Sequence, residues 1–215
     1  MASGPVRAAL GAALALVAVS GCTPSLHPLY TELDLTVDRR LIGTWVEAGG
    51  DKTAPMWSVN RYGDDAYLLT RVVKRDTVEL EARLVKLGQT FFFDLSPHVR
   101  AGADTLVERH RIAGHTFGRV WIANDRVRVA ALDRPWLQRM LSTKQFLLSH
   151  EFEDGNFLIT ASTATLQKFA GKYADDTTAF ARVLEWERKP DAPPPRRRPR
   201  VAPRPPAVQS RPPAR

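Results

Sequence analysis

Apolar and polar residues alternate with a period of two through the middle of the chain. Residues 78–84 read VELEARL, and residues 126–132 read RVRVAAL. Such alternation is typical of antiparallel strands with one packed face and one solvated face. Nine further segments are predicted strands: 42–47, 56–62, 66–73, 90–95, 106–112, 116–123, 145–152, 157–161 and 182–187.

Turn-forming residues separate these segments. Clusters of Gly, Asp, Asn and Pro occur between the predicted strands, at 62–65, 95–104, 112–115, 123–126 and 153–156. These residue types favour chain reversal. Many short strands with few helices predict a mainly β fold, built as an antiparallel meander, a sandwich or a closed barrel.

Two segments depart from the strand pattern. Asp133 is a candidate N-cap, with Pro135 in the first turn of an apolar helical face. In residues 162–176, apolar side chains recur at i, i+3, i+4 and i+7 from Leu166. We therefore predict two short helices that cover a sheet edge or one end of a barrel.

The chain begins with a segment typical of export signals. Arg7 precedes twelve apolar residues, 8–19, and then Ser20 and Gly21 lead to Cys22, the only cysteine. The apolar run has the length of a signal core and is too short to span a membrane, which takes about 20 residues. The sequence VSGC resembles the bacterial lipobox. That resemblance implies cleavage before Cys22 and attachment of diacylglycerol to its sulfur.

A lipid on Cys22 also explains why the chain has a single cysteine. The alternative is an ordinary secretory signal, which would leave a thiol with no disulfide partner in an oxidising compartment. Each buried methylene contributes about 0.8 kcal/mol, and stable anchoring takes more than one acyl chain. Thr23 follows Cys22 where an Asp would favour inner-membrane retention. By analogy with Gram-negative lipoproteins, we expect an outer-membrane anchor that faces the periplasm.

The charge of the chain is concentrated in its last segment. Residues 190–215 contain ten Pro and seven Arg, so we predict a disordered, extended tail. Without this tail and the signal, residues 22–189 hold 23 basic and 22 acidic side chains. We therefore predict no nucleic-acid binding. Two roles stay open for the tail: contact with anionic headgroups or an anionic envelope polymer, and a solvated spacer with no partner.

The composition divides the chain into four parts. We predict a signal peptide (1–21), a lipidated leader or tether (22–40), a β-rich globular domain (41–189) and the tail (190–215).

Two resemblances bear on the globular domain. The segment LIGTWVE, with Gly43 and Trp45, resembles the first motif of lipocalins and other calycins. That resemblance implies a barrel with Trp45 closing one end, whereas the plain alternative is a buried core tryptophan. The later lipocalin motifs have no match here, and a single cysteine excludes their disulfide. A resemblance to a group of uncharacterised bacterial lipoproteins covers about residues 22–188. It is carried by the segments HPLYTELDL, LIGTWVE, EARLVKLGQTFFFDLSP, HTFGRVW and LITASTATLQKFAGKYADD. This second resemblance implies a lipidated, single β-rich domain and no activity.

Few residues form patterns with catalytic chemistry. The histidines at 27, 98, 110, 115 and 150 lack the close spacing of metal ligands. His110 and His115 flank a predicted turn and, with Glu108, form a candidate zinc set. Glu151 and Glu153 share one strand face as a candidate acid–base or cation pair. Because solvated side chains explain both sets, we predict no enzyme, no metal and no cofactor.

Three roles remain open for the globular domain. The first is a non-catalytic binding or envelope-support role for a membrane-anchored lipoprotein. The second is a lipocalin-like carrier of a small apolar ligand, which requires a hollow interior. The third is a structural or interaction protein that uses the basic tail, which fits a filled interior with exposed apolar surface.

Substitution of the single cysteine tests the anchor. We expect Cys22→Ser to abolish palmitate incorporation and membrane association, because no other thiol can carry the lipid. Metabolic labelling followed by cell fractionation is the measurement. Equal labelling of the variant and the parent chain would refute the lipoprotein assignment.

Overall fold

The computed structural model describes residues 23–50, 56–73, 76–98 and 114–189. The predicted lipidation site Cys22, the predicted strand 106–112 and the predicted tail 190–215 lie outside the described residues. Within the described ranges, no helix is both long and apolar enough to cross a membrane.

The described residues form twelve strands, two α-helices and two short 3₁₀ turns. The strands are β1 (Pro24–Ser25), β2 (Leu35–Thr36), β3 (Gly43–Glu47), β4 (Met56–Tyr62), β5 (Ala66–Val73), β6 (Asp76–Leu87), β7 (Thr90–Pro97), β8 (His115–Ile122), β9 (Arg126–Ala131), β10 (His150–Glu153), β11 (Asn156–Ile159) and β12 (Val183–Arg188). The helices are α1 (Arg134–Ser142) and α2 (Thr163–Tyr173), and the 3₁₀ turns are Glu32–Asp34 and Arg39–Leu41.

Eight of the strands close into an antiparallel barrel. Strands β3 to β9 form a meander in which each strand pairs with the next. Strand β12 then enters between β9 and β3, where Trp186 pairs with Val127 on one side and with Glu47 on the other. The predicted mainly β fold is confirmed, and the barrel is the form that it takes. This architecture is compatible with a calycin-like fold.

Both predicted helices are confirmed together with their caps. The Asp133 side chain accepts a hydrogen bond from the Trp136 amide at 2.8 Å, and the Ser162 hydroxyl caps α2. The predicted strand 145–152 was partly wrong, because β10 begins only at His150. The preceding residues complete the end of α1, where the amide of Gln145 donates to the Met140 carbonyl at 3.1 Å.

Period-two alternation fills the barrel with large side chains. Along β6, Ala82 and Leu84 point inward, and Leu84 lies opposite the inward Phe93 of β7. Aromatic residues from several strands meet there, and the Trp57 and Trp186 rings stack 5.6 Å apart. The buried members of this interior core are Leu41, Trp45, Val59, Tyr67, Leu69, Ala82, Leu84, Phe93, Val120, Val127 and Trp186.

A second core lies on the outside of the barrel wall. Phe92 and Phe117 point outward from β7 and β8, and they are buried beneath the helices and the β10–β11 hairpin. The wall is therefore apolar on both faces here, whereas the alternating strands predicted one solvated face. Strand β7 contains three consecutive phenylalanines, at 91–93. Apolar residues at successive positions are typical of a strand that is buried on both faces.

The segment predicted as a leader lies against the barrel in its described part. Strand β1 pairs with β8 and β11, and β2 pairs with β6. Leu29 is fully buried in the outer core, and its carbonyl accepts a hydrogen bond from Gln167 of α2 at 3.0 Å. Residues 23–40 are thus part of the folded unit rather than a free spacer.

Trp45 and Arg188 lie together at one end of the barrel. The Trp45 side chain is fully buried, and its indole N–H donates to the Leu41 carbonyl at 2.8 Å. The Arg188 guanidinium lies 4.4 Å from the Trp45 ring centroid and donates to the Ile42 carbonyl at 2.8 Å. The last strand is thereby linked to the turn that precedes the first barrel strand.

Gly43 allows this approach of Arg188. Its φ is 142°, a conformation that side chains rarely adopt, and a Cβ at this position would overlap a guanidinium nitrogen of Arg188. Glycine is therefore favoured here by its backbone conformation, and a larger residue would also displace the end of the Arg188 side chain.

Truncation of Trp45 tests the contribution of this end of the barrel to stability. We expect Trp45→Ala to lower the free energy of unfolding by about 3–5 kcal/mol, because it leaves a cavity in a filled core. Urea denaturation is the measurement. Leu33→Ala is the control, since Leu33 is 96% exposed. An unchanged midpoint in Trp45→Ala would contradict a closing or core role.

Candidate functional site

Two concavities flank α1, outside the barrel. One has a volume of about 320 Å³ and lies between α1 and the β10–β11 hairpin. The other has a volume of about 300 Å³ and is lined by Trp136, Arg139, Met140, Thr143 and Gln145. We call the first the α1–β10 groove; its lining residues are Gln138, Leu141, Ser142, His150, Phe152 and Phe157.

A tight turn sets the register of the hairpin that forms one wall of the groove. Asp154 and Gly155 both have positive φ, 49° and 78°, as a two-residue type I′ turn requires. This turn places Phe152 directly opposite Phe157, so both rings lie on the same face. Phe157 is buried, whereas Phe152 remains 60% exposed. An unfilled aromatic surface therefore lines the groove.

Strand β10 ends the sheet and leaves a free edge. It pairs only with β11 among the described strands, and its four residues are all exposed. The carbonyl of Ser149 accepts a hydrogen bond from the Thr160 amide at 2.9 Å. Because bonding direction alternates along an antiparallel strand, the backbone groups of His150 and Phe152 point away from β11. Two residues with unpaired backbone groups thus border the groove.

The two faces of β10 differ in character. His150 and Phe152 face the groove, and Glu151 and Glu153 face the opposite side. The predicted sharing of one face by the two carboxylates agrees with this geometry, while a function for them stays a prediction. Within the described ranges, neither glutamate forms an ion pair. The hairpin therefore presents an apolar face and an acidic face on either side of its free edge.

Aromatic stacking holds the groove wall in place. The His150 ring stacks on Phe157 with centroids 5.1 Å apart, and its Nδ1 donates to the Leu148 carbonyl at 2.8 Å. The Arg134 guanidinium lies 5.9 Å from the Phe157 centroid. The His150 ring therefore forms part of the groove wall.

A second polar cluster joins the leader to the barrel. Asp94 is 2% exposed; one of its carboxylate oxygens lies 2.6 Å from His115 Nδ1, and the other accepts from the Leu29 amide at 2.7 Å. In the described part of the chain, no Ser, Thr or Tyr hydroxyl is hydrogen-bonded to His115. The Asp94 carboxylate thereby fastens Leu29 to the outer wall of the barrel.

Tyr30 lies beside this pair and remains protonated. Its ring meets His115 edge-on at 6.3 Å, and the Arg83 guanidinium lies 5.1 Å from the Tyr30 centroid. Desolvation by burial raises the pKa of Tyr30, and the Arg83 charge only partly offsets this effect. Tyr30 is consequently a neutral phenol near neutral pH and is unsuited to act as a base. In the sequence, the signal for this cluster is Asp94, the single acidic residue in the apolar segment 91–95.

The candidate metal ligands are not brought together where the structure describes them. His110 and Glu108 lie outside the described residues. His27 is exposed, and His98 packs edge-on against Tyr62 at 5.2 Å. Among the described residues, no group of three or more His, Cys, Asp or Glu side chains can hold a metal ion.

Fold and site together define the class of protein as a closed eight-stranded antiparallel barrel with a helical outer layer and an external apolar groove. No protein-family model matches the chain, and no match is found among curated proteins or solved structures.

The facing phenylalanines of the hairpin should differ sharply in their contribution to stability. Phe157→Ala should lower the free energy of unfolding by about 3–5 kcal/mol, because it empties a buried position. Phe152→Ala should change it by less than about 0.5 kcal/mol, because that ring is exposed. Chemical denaturation of the two variants is the measurement. A large loss in Phe152→Ala would mean that the exposed ring serves folding.

Proposed function

We propose that the protein is a lipid-anchored envelope lipoprotein with a calycin-like barrel, and that it acts without catalysis through the outer surface of that barrel. The observation that carries this proposal is the set of large buried side chains that pack together inside the barrel. The binding surface is then the α1–β10 groove and the free edge of β10, and the role is interaction or envelope support.

The packing of the interior separates this role from that of a carrier. Trp45 and Tyr67 are fully buried inside the barrel, and Phe93 is 2% exposed. The two concavities that flank α1 lie outside the wall. A carrier site for a small apolar ligand typically needs about 300–1,000 Å³ of enclosed space. The carrier alternative therefore has less support than the surface role.

The position of the lipobox supports a short anchor. Only Thr23 separates Cys22 from β1, and β1 pairs with β8 and β11. A lipid on Cys22 would therefore hold the barrel wall close to the membrane, here proposed to be the outer membrane on its periplasmic side. The basic tail would add a second, reversible contact with anionic headgroups or polymer, at about 1 kcal/mol per basic residue near the surface.

Titration with a neutral apolar fluorophore tests the surface role against the carrier role. We use N-phenyl-1-naphthylamine and the mature chain with Cys22→Ser. We expect no saturable site inside the barrel, because the interior side chains leave no room. Val129→Trp adds volume to the interior core. It should leave the fluorophore signal unchanged, and it should lower the free energy of unfolding by about 1–3 kcal/mol because a packed core has no space for the larger ring.

A carrier would give a different pattern of fluorophore binding in these variants. One-to-one saturable binding that Val129→Trp abolishes and Phe152→Ala leaves intact would establish a carrier and overturn the surface role. Weak binding lost in Phe152→Ala would place the fluorophore in the groove and support the surface role.

A further inference from the structure

We propose that residues 198–205 of the chain's own tail dock as a parallel strand on the free edge of β10. Their apolar side chains would enter the α1–β10 groove, and their arginines would face Glu151 and Glu153. This inference goes beyond the proposed function, because it requires neither the lipid nor the membrane.

The edge of β10 has the properties of a strand-addition site. His150 and Phe152 turn unpaired backbone groups outward, and Phe152 is 60% exposed. In strand addition, main-chain hydrogen bonds supply affinity and alternate side chains supply specificity. The apolar and acidic faces of β10 would therefore select a strand that alternates apolar and basic residues.

Residues 198–205 have this alternation. They read RPRVAPRP, so the odd positions hold Pro199, Val201, Pro203 and Pro205, and the even positions hold Arg198, Arg200, Ala202 and Arg204. In an extended chain, successive side chains point to opposite faces. One face of this segment is therefore apolar, and the other carries three of the seven tail arginines.

The prolines fix which backbone groups can bond. All three prolines in this segment occupy odd positions, so every even residue keeps its N–H. Only alternate residues of a strand turn their N–H toward a given neighbour, and proline is tolerated where the missing N–H would face solvent. The even residues can therefore bond to β10 without a gap.

The placement of apolar residues at odd positions and N–H donors at even positions then selects the parallel orientation. In antiparallel pairing, a residue that bonds to Phe152 lies directly opposite it on the same face, which would put the arginines in the apolar groove. In parallel pairing, the residue opposite Phe152 turns its own backbone away, and its two neighbours make the bonds. Pro and Val then share the groove with Phe152, while Arg lies on the side of Glu151 and Glu153.

Length and charge permit this contact. An extended chain covers about 3.3 Å per residue, so Val201, twelve residues beyond Lys189, reaches about 40 Å. A folded domain of about 150 residues has a radius of gyration near 15 Å and a diameter of about 40 Å. The carboxylates of the hairpin attract the tail, and they would repel an anionic membrane. A tether of this length gives a local concentration on the order of millimolar.

Amide exchange on the full mature chain with Cys22→Ser tests the backbone pairing. We expect the amide of Phe152 to exchange about tenfold more slowly than in Ala202→Pro, which removes an inward N–H, if about nine tails in ten are docked. Val201→Pro, which removes an outward N–H, should keep the slow exchange. Equal exchange in the two proline variants would overturn strand addition.

Paramagnetic labels test the position and the orientation. In the Cys22→Ser background, a spin label on Ala207→Cys should broaden amides near Asp154, and one on Ala192→Cys should broaden those near Leu148. The reverse pattern, or none, would overturn the proposal. Glu151→Lys with Glu153→Lys should abolish the broadening. Glu32→Lys with Asp64→Lys, which makes the same change in charge elsewhere, should not.

A mixed sample identifies whose tail is bound. Spin-labelled chains without isotope are combined with isotope-labelled chains without a spin label. No broadening in the mixture supports docking within one chain. Broadening in the mixture would assign the edge to the tail of a second copy and overturn the proposal.

Discussion

Pairing of β12 with both β3 and β9 is the constraint on which the rest of the structure depends. It closes the barrel, and it carries Arg188 to Trp45 at the barrel end. Because β12 comes last, the chain between β9 and β12 must leave the wall and return to it. It does so as α1, the β10–β11 hairpin and α2, which form the outer layer. The α1–β10 groove is a product of this excursion.

The outer layer explains why the leader is fixed and why one edge stays free. Phe92 and Phe117 make the wall apolar on its outside, and Leu29 completes their cover, held by the buried Asp94 carboxylate. Strand β1 then extends the sheet from β8 to β11, and the described sheet ends at β10. A closed barrel removes its own edges, so this extension creates the exposed edge at which we place binding.

The proposed roles of the tail compete for the same guanidinium groups. Docking on β10 would engage Arg200 and Arg204 with the hairpin glutamates, whereas anionic headgroups or polymer would draw them away. Both attractions act within a Debye length of about 8 Å at physiological salt, so both weaken as salt rises. The tether favours the groove when no anionic surface is near, and a dense anionic surface would favour release.

Local patterns in the sequence determined most strands of the barrel, both helices and the hairpin turn. Alternation along Asp76–Leu87, the caps at Asp133 and Ser162, and the Asp154–Gly155 pair each act within a few residues. The start of β10 was misplaced, because hydrogen bonds at the end of α1 take the residues before it. Only the tertiary structure decided that β12 returns to β3, that His115 meets Asp94, and that Phe152 stays uncovered while Phe92 is buried. These outcomes depend on contacts between distant segments, and alternation specifies a strand's two faces without specifying what packs against either one.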